Sequence, residues 1–196
     1  MEIIVPFAEI IAVENLTEFS NDNFSFYNKS IQIKKSVKPS MKWHSDTYNT
    51  INTSYDVKND KLFQPLVKTI QNKTTEFANE FGVSNKKIVC ESSWLNISEP
   101  NNFQEYHNHG MSHFSAVYYV KTPKNSGNLI FKSHSAWNNM FPFKVNDMKL
   151  PAHETFYIEP SECLLVIFKS NLFHMVESNK SNENRISIAL NFVIND

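Results

Sequence analysis

The stretch that decides the fold is QEYHNHGMSHFSAVYYV, residues 104–120. Its first half holds three of the seven histidines in the chain, and its second half is an aromatic and β-branched run typical of a buried strand. In an extended segment residues i and i+2 point to the same side, so His107 and His109 can present both imidazoles to one point. The pattern indicates either one side of a metal site or a polar loop without special function.

From about residue 87 onward the chain contains several segments of strand length, separated by polar loops, and one of them is the second half of this stretch. They read KIVCESSWLNIS, FSAVYYVK, GNLIFK, TFYIE, ECLLVIF and NRISIALNFVI. Their spacing is typical of an antiparallel β-sandwich or barrel. Residues 87–196 are therefore predicted to form a jelly-roll-like core.

The chain before residue 87 predicts a layer of strands and helices that packs on this core. EIIVPFAEIIAV, residues 2–13, indicates one or two strands, and residues 59–84 indicate a helix. The apolar positions of that helix are Leu62, Leu66, Ile70 and Phe77. Asp60 is a candidate N-cap, Pro65 fits the first turn and Gly82 fits the end of the helix. We expect one domain over residues 1–196, with residues 1–86 packed on the core, in a mainly β or α+β fold.

Composition excludes several classes of protein. The formal net charge is -1 in 196 residues, whereas proteins that bind nucleic acid or anionic membranes need an excess of cations on one face. No run approaches 18 apolar residues, so no membrane span is predicted. Cys90 and Cys163 stand in apolar runs, which indicates buried thiols in a reducing compartment, hence the cytoplasm.

A third histidine and one arginine extend the candidate site. His174 lies 65 residues beyond His109 on another apolar segment, and Arg185 follows 11 residues later. Arg185 is the only Arg among 19 basic Lys and Arg residues. The two side chains differ where a planar carboxylate must be bound by two parallel hydrogen bonds.

The requirements of one chemistry match this set. Iron(II) that activates oxygen needs protein ligands on one face only, which leaves adjacent positions open. A 2-oxo acid chelates the metal through its keto and carboxylate oxygens, and its distal carboxylate needs a permanently charged donor. Arg185 fits that need, and Ser187 points the same way along its strand and could donate a second bond.

From about residue 40 to its end, the chain resembles the 2-oxoglutarate/iron(II)-dependent oxygenases of the double-stranded β-helix class, which are jelly-roll and cupin-like. It most resembles a small subfamily found in bacteria and tailed phages. The pieces that carry the resemblance are MKWHS, SSWLNIS, HNHGMSHFSAVYYV, GNLIF, LVIFKSNLFH and NRISIALNF. The resemblance implies His107 and His174 as metal ligands. It also implies that Arg185 and Tyr119 bind the distal carboxylate of 2-oxoglutarate, with Asn96 lining the pocket.

One position departs from the usual motif of that superfamily, His-x-Asp/Glu. The third position here is His109, which implies a site of three histidines that binds iron less tightly because it carries one more positive charge. Two alternatives remain open. In the first, Glu105 or a water completes the set of metal ligands. In the second, the site holds zinc or nickel, since late divalent ions outcompete iron(II) at imidazoles.

The resemblance implies a dioxygenase that uses iron(II), 2-oxoglutarate and dioxygen, most simply to hydroxylate an unidentified substrate. One alternative is a non-catalytic metal-containing β-domain for binding or assembly. Another is a three-histidine cupin-type iron enzyme without a 2-oxo acid. The oligomeric state stays open, with a homodimer as one option.

Other polar positions are given simpler interpretations. His113 is expected at the rim or in a structural role, since Gly110 interrupts the extended segment. Trp43 and His44 are expected to pack and to bond at the surface beside the pocket. Residues 133–153, with His134 and His153, are expected to form a long loop over the mouth of the barrel.

Overall fold

The computed structural model describes residue 2 and residues 8–39, 43–134 and 154–195. Within these residues ten strands form two antiparallel sheets. The strands are β1 (Ile11–Asn15), β2 (Tyr48–Asn49), β3 (Lys87–Ser98), β4 (Gln104–His107), β5 (Phe114–Lys121), β6 (Leu129–Lys132), β7 (Thr155–Ile158), β8 (Leu164–Lys169), β9 (His174–Val176) and β10 (Arg185–Asn195).

The larger sheet has the strand order β1-β8-β5-β10-β3-β2, and the smaller one has the order β4-β9-β6-β7. An apolar cluster drawn from both sheets fills part of the space between them. It includes Leu129 and Phe131 of the smaller sheet and Val166 and Phe168 of the larger one. The two sheets therefore enclose an interior, as expected for a double-stranded β-helix.

Two helices, α1 (Asn23–Ser36) and α2 (Gln64–Asn79), cover the other face of the larger sheet. Phe26 of α1 and Ile70 of α2 belong to one core with Tyr118 and Ile188 of the sheet. Because side chains alternate along a strand, Tyr118 points to the helices and its neighbour Tyr119 points between the sheets. This alternation assigns one face of the sheet to stability and leaves the other for the site.

The strands predicted after residue 87 are confirmed, with bounds that differ by at most two residues. The helix predicted over residues 59–84 is also present, but Asp60 as its N-cap is wrong. The helix begins after Phe63 without a side-chain cap. Asp60 instead ends the preceding short turn over Val57–Asn59, and its carboxylate accepts from the backbone N–H of Leu62. Leu62 consequently lies outside the helix and is exposed. Gly82 has a φ of +73° just beyond the helix, as the predicted stop requires.

The sequence did not predict helix α1. Its buried positions are Asn23, Phe26, Ser30 and Ile33, which follow a helical spacing but are half polar. Ser30 donates to the Phe26 carbonyl, and the Asn23 side chain donates to the Val120 carbonyl. Because half of these buried side chains are polar, the sequence of α1 shows almost no periodic hydrophobicity, and only packing against the sheet identifies its buried face.

Some predictions fall partly outside the described residues. Of the N-terminal segment predicted over residues 2–13, residues 3–7 lie outside them, residues 8–10 have no regular structure, and β1 covers only residues 11–13. Of the predicted loop over residues 133–153, residues 135–153 lie outside them. Both cysteines are buried and unbridged, as predicted. In the part of the chain that the structure describes, neither helix is long and apolar enough to cross a membrane.

Candidate active site

Three imidazoles from two strands and a loop meet between the sheets. His107 ends β4 and pairs directly with His174, the first residue of β9. Their ring centroids lie 4.3 Å apart, and His109 lies 5.2 Å from each of them. One potential ligand atom from each ring falls within 4.8 Å of the others, so the three histidines could hold a metal ion.

The chain fixes two of these rings in the same way. His107 Nδ1 lies 2.7 Å from the Glu105 carbonyl, and His174 Nδ1 lies 2.9 Å from the Leu172 carbonyl. Because a carbonyl can only accept, Nδ1 carries the proton in both rings, and the lone pair remains on Nε2. A hydrogen bond of this kind orients an imidazole for metal ligation.

His109 is positioned differently. Strand β4 ends at His107, and His109 lies two residues beyond it, outside the regular elements. The backbone N–H of His109 donates to the Ser170 carbonyl at 2.7 Å. Among the described residues its ring has no hydrogen-bond partner and contacts Trp94 edge-on at 5.4 Å.

Burial keeps all three imidazoles neutral near pH 7. Desolvation lowers the pKa of His107 and lowers that of His109 to about 4, where the nearby His107 adds to the effect. The pKa of His174 lies well below its usual value, first because of burial and then because of the other two rings. A neutral imidazole is the form that binds a metal.

Glu105 does not join this group. Its Oε1 accepts from the backbone N–H of His44 and lies 3.2 Å from His44 Nδ1. Its carboxylate is absent from the set of ligand atoms that converge, which contains only the three histidines within the described residues. In this geometry Glu105 supplies no atom to the converging set, and its Oε2 is buried without a hydrogen-bond partner among the described residues.

Arg185 is buried at the start of β10, with 3% of its surface exposed. Its Nη1 donates to the carbonyls of Ser126 at 2.8 Å and Gly127 at 3.4 Å, and its Nη2 donates to Ser98 Oγ at 2.8 Å. All of these acceptors are neutral. No carboxylate pairs with Arg185 among the residues that the structure describes.

Some N–H groups of the Arg185 guanidinium therefore have no acceptor among the described residues. The three bonds are donated by Nη1 and Nη2, and Nε–H has no acceptor among the described residues. A guanidinium has five N–H groups, so at least two of them remain for a carboxylate, whose geometry a guanidinium fork matches. A buried cation without an anion is costly, so these N–H groups are suited to an anionic ligand.

Tyr119, Ser187 and Asn96 lie beside Arg185 in one row across the larger sheet. Ser187 of β10 pairs with Tyr119 of β5 on one side and with Asn96 of β3 on the other. All three line the same cavity as Arg185 and the histidines. Burial raises the pKa of Tyr119 to about 12, although Arg185 opposes the shift, so the phenol remains a proton donor.

That cavity has a volume of about 260 Å³. Apolar residues, among them Val117, Leu129 and Val176, form part of its wall. Trp43 also lines it and packs on the His107 ring with 4.7 Å between centroids. The indole N–H of Trp43 is buried and has no acceptor among the described residues.

The other described histidines do not line this cavity. The exposed His113 accepts from the backbone N–H of Ile194 through Nδ1, which agrees with a structural role. His44 is exposed, and His134 contacts Glu9 through Nδ1 at 2.9 Å. His153 lies outside the described residues.

Sequence reasoning missed the groups that hold Arg185. Ser98 could have been found, because it lies two residues beyond Asn96 on the same strand and so shares its face. The carbonyls of Ser126 and Gly127 give no side-chain signal. Gly127 has a φ of +90°, and a Cβ there would lie 2.5 Å from the Glu177 carbonyl oxygen, so only glycine fits this turn.

Comparison with known proteins agrees with this geometry. Residues 92–191, just over half of the chain, match the family described as "Putative 2OG-Fe(II) oxygenase". The chain belongs to this family. The matched range contains the three histidines and Arg185. Iron(II) and 2-oxoglutarate are accordingly its cofactor and co-substrate, and dioxygen its oxidant. No curated protein matches the sequence significantly.

Solved structures of 2OG-Fe(II) oxygenases share the fold. A Pseudomonas putida prolyl-4-hydroxylase aligns with a TM-score of 0.68 and 12% identity, over 96% of this chain and 94% of that one. The viral collagen prolyl hydroxylase of Paramecium Bursaria Chlorella virus-1, a 2OG complex, aligns with a TM-score of 0.60 and 14% identity over 93% and 94%. The epimerase SnoN from nogalamycin biosynthesis, in complex with Fe3+, alpha ketoglutarate and nogalamycin RO, aligns with a TM-score of 0.66 and 8% identity over 94% and 79%.

Proposed function

We propose that the chain is a dioxygenase that hydroxylates a C–H bond of its substrate, with His107, His109 and His174 as the metal ligands. The observation that carries this proposal is the buried Arg185. It is a cation without a carboxylate partner among the described residues, and it lines the same cavity as three converging imidazoles. A site that brings both groups together is suited to a metal ion and a dianion at once.

The donor set fits iron(II). Three neutral imidazoles on one side of a cavity leave the remaining metal positions to ligands that enter from it. Three imidazoles bring no negative charge, so the bound metal keeps its full double charge. The two carboxylates of 2-oxoglutarate then supply the anionic charge that the protein ligands lack.

The residues at the other end of the cavity fit the distal carboxylate of 2-oxoglutarate. The unused N–H groups of Arg185, Nε–H among them, bind it, and the hydroxyl of Tyr119 adds a neutral donor. Ser187 lies between Tyr119 and Asn96 in the row and offers a further hydroxyl. Apolar neighbours such as Val117 and Leu129 exclude water and strengthen these bonds.

His107, His109 and His174 would hold the iron(II), which would supply the activation of dioxygen. One oxygen atom enters succinate as 2-oxoglutarate loses carbon dioxide, and the other converts a substrate C–H into C–OH. The residues of the chain hold the reactants in order and keep bulk water away. Three of the structural neighbours are prolyl hydroxylases, and hydroxylation is the outcome that we propose for this site as well.

A direct test measures succinate after anaerobically purified protein receives iron(II), 2-oxoglutarate and then oxygen. The wild type should form succinate slowly even without substrate, and His174→Ala should form none above background. His134→Ala is the control, because this histidine lies outside the cavity, and it should match the wild type. Wild-type turnover no greater than that of His174→Ala would contradict the proposal.

The alternative of an iron enzyme without a 2-oxo acid makes a different prediction. It leaves the buried charge of Arg185 without a function, so Arg185→Lys should be nearly harmless to activity. Under our proposal the same change removes the carboxylate fork and weakens 2-oxoglutarate binding. A non-catalytic metal domain predicts tight zinc binding and 2-oxoglutarate binding that is insensitive to Arg185.

A further inference from the structure

The size of the cavity limits how much of a substrate can enter it. Its volume of about 260 Å³ is below the range of about 300–1,000 Å³ of typical ligand pockets. Under the proposed function, 2-oxoglutarate fills the length between the histidines and Arg185. Only one small group of the substrate can then reach the metal, and the rest must lie outside.

A second, more open groove begins where the cavity ends. It has a volume of about 500 Å³ and shares four lining residues with the cavity. These shared residues are Ile51, Trp94, Asn108 and His109. One wall comes from residues 50–56, the other from residues 108–112, and β3 forms the floor. A molecule that lies in this groove can insert one side group past Trp94 and His109.

The groove offers hydrogen-bond donors and acceptors along its length. Hydroxyls and amides of Thr53, Ser92, Ser112 and Asn191 line it, and none of its described lining residues is Lys or Arg. A phosphate chain would therefore find no cation here. A polypeptide backbone, which needs both donors and acceptors, matches this wall.

Two carboxylates give the groove its charge. Asp56 already accepts from Ser93 Oγ at 2.5 Å and pairs with Lys58 at 3.3 Å. Lys58 Nζ donates to the backbone carbonyl of Glu91. The Glu91 carboxylate forms no ion pair among the described residues, and one of its oxygens accepts from Ser112 Oγ at 3.0 Å. The free negative charge of the groove therefore resides on Glu91.

A β-bulge gives Glu91 this position. Ser92 pairs with Asn191 and Cys90 pairs with Phe192, which leaves Glu91 as the extra residue of β3. A bulge re-aims the side chain that it carries. Glu91 reaches from the floor of the groove to Ser112 on the wall formed by residues 108–112. Its carboxylate therefore lies beside the loop that carries His109.

We propose that the substrate is a polypeptide segment that lies in this groove, with a basic residue on Glu91 and a neighbouring small side chain inserted toward the metal. This inference rests on the proposed function, because it takes the three-histidine cavity as the place of reaction. It adds the substrate class and assigns recognition to residues 50–56, 91–93 and 108–112.

The test measures succinate with iron(II), 2-oxoglutarate and oxygen, with and without pools of random peptides of about ten residues, which extend roughly 33 Å. One pool carries a fixed lysine and a matched pool a fixed glutamate. The wild type should be stimulated by the lysine pool about tenfold more than by the glutamate pool, since a tenfold ratio corresponds to about 1.4 kcal/mol. Glu91→Lys should reverse this preference.

A groove-filling variant separates docking from chemistry. Ser92→Trp should lower the stimulation by the lysine pool, relative to the rate without peptide, by about tenfold or more. Ser84→Trp, on an exposed turn beyond α2, is the control and should leave both rates unchanged. Equal stimulation by both pools, stimulation that Ser92→Trp leaves intact, or stimulation by free amino acids or oligosaccharides only would overturn the proposal.

The two proposals fail in distinguishable ways. If the wild type forms succinate without peptide but no peptide pool raises the rate, the substrate class is wrong and the proposed function stands. If the wild type neither binds 2-oxoglutarate nor forms succinate, the proposed function itself fails.

Discussion

The two ends of the cavity hold their functional groups by different means. At one end, three neutral acceptors bind the guanidinium of Arg185, and the charge itself has no partner among the described residues. At the other end, His107 and His174 are each fixed by one carbonyl, and the ring of His109 is held by contacts alone. The first end is oriented but needs an anion, and the second is neutral and needs a cation.

This difference explains why the ends depend on each other. A metal ion at the histidines attracts the keto acid end of 2-oxoglutarate, and Arg185 binds the other end of the same molecule. Neither buried group reaches its lowest free energy until both ligands are present.

The largest effect is expected from the histidines that a carbonyl fixes. His174→Ala removes a buried, oriented ligand and should weaken zinc or anaerobic iron(II) binding by more than about 100-fold, above the 10–100-fold typical of losing an outer contact. His109→Ala should weaken it less, because that ring has no fixing hydrogen bond. Competition with a chromophoric chelator measures both affinities. Equal losses for the two variants would remove the distinction between the histidines.

At the arginine end, Arg185→Lys keeps the charge and removes the fork. The affinity of zinc-loaded protein for 2-oxoglutarate should fall by about 10–100-fold, the equivalent of one charge-assisted bond of roughly 1.5–3 kcal/mol. Calorimetry without oxygen measures this change. Metal affinity in the absence of 2-oxoglutarate should remain that of the wild type, and a matching loss of metal binding would show that the two ends are not separable.

Tyr119→Phe tests the neutral donor beside Arg185. It should reduce 2-oxoglutarate affinity by about 3–10-fold, the equivalent of roughly 0.7–1.4 kcal/mol for one ordinary hydrogen bond. Because its pKa is raised to about 12, the phenol stays protonated at alkaline pH. The difference between wild type and variant should therefore stay constant from about pH 7.5 to about pH 9.5, below the ordinary Tyr pKa of about 10 and well below the raised one. A difference that disappears toward pH 9.5 would mean that the phenol ionises earlier.

The smallest effect is expected from a group that only orients Arg185. Ser98→Ala removes the acceptor of one Nη2 bond and should reduce the free energy of unfolding by about 0.5–1.5 kcal/mol. The 2-oxoglutarate affinity should fall by about 2–5-fold, less than in Tyr119→Phe. Denaturant titration and calorimetry measure the two quantities. Ser84→Ala on an exposed turn is the matched control, and an effect of Ser98→Ala no larger than the control would show that Ser98 does not orient Arg185.

The parts of the site that the sequence predicted carry a side-chain signal on a regular element. The alternation of side chains along β5 and β10 determines which face of the sheet carries Tyr119, Ser187 and Arg185. The three closely spaced histidines and the single Arg can be read directly from the sequence. His109 lies beyond the end of β4, where strand pairing no longer fixes the face of a side chain. The bulge at Glu91 and the carbonyls of Ser126 and Gly127 depend on backbone geometry, so they became visible only in the folded chain.

Helix α1 and the misplaced N-cap have the same kind of cause. Asp60 has the chemistry of a cap, but its carboxylate accepts from the nearer N–H of Leu62 and also pairs with Lys29. Helix α1 is defined by a buried stripe in which Asn23 and Ser30 alternate with Phe26 and Ile33. In both places a local hydrogen bond or a tertiary contact overrides the propensity of single residues.

The central claim is that a metal ion and 2-oxoglutarate share one cavity between the histidines and Arg185, and the coupling of their binding tests it most directly. The affinity for 2-oxoglutarate is measured by calorimetry without oxygen, with and without zinc, and the affinity for zinc with and without 2-oxoglutarate. We expect each ligand to raise the affinity of the other by the same factor, about 30-fold or more, since binding linkage is reciprocal. Equal affinities in the presence and absence of the other ligand would contradict the account.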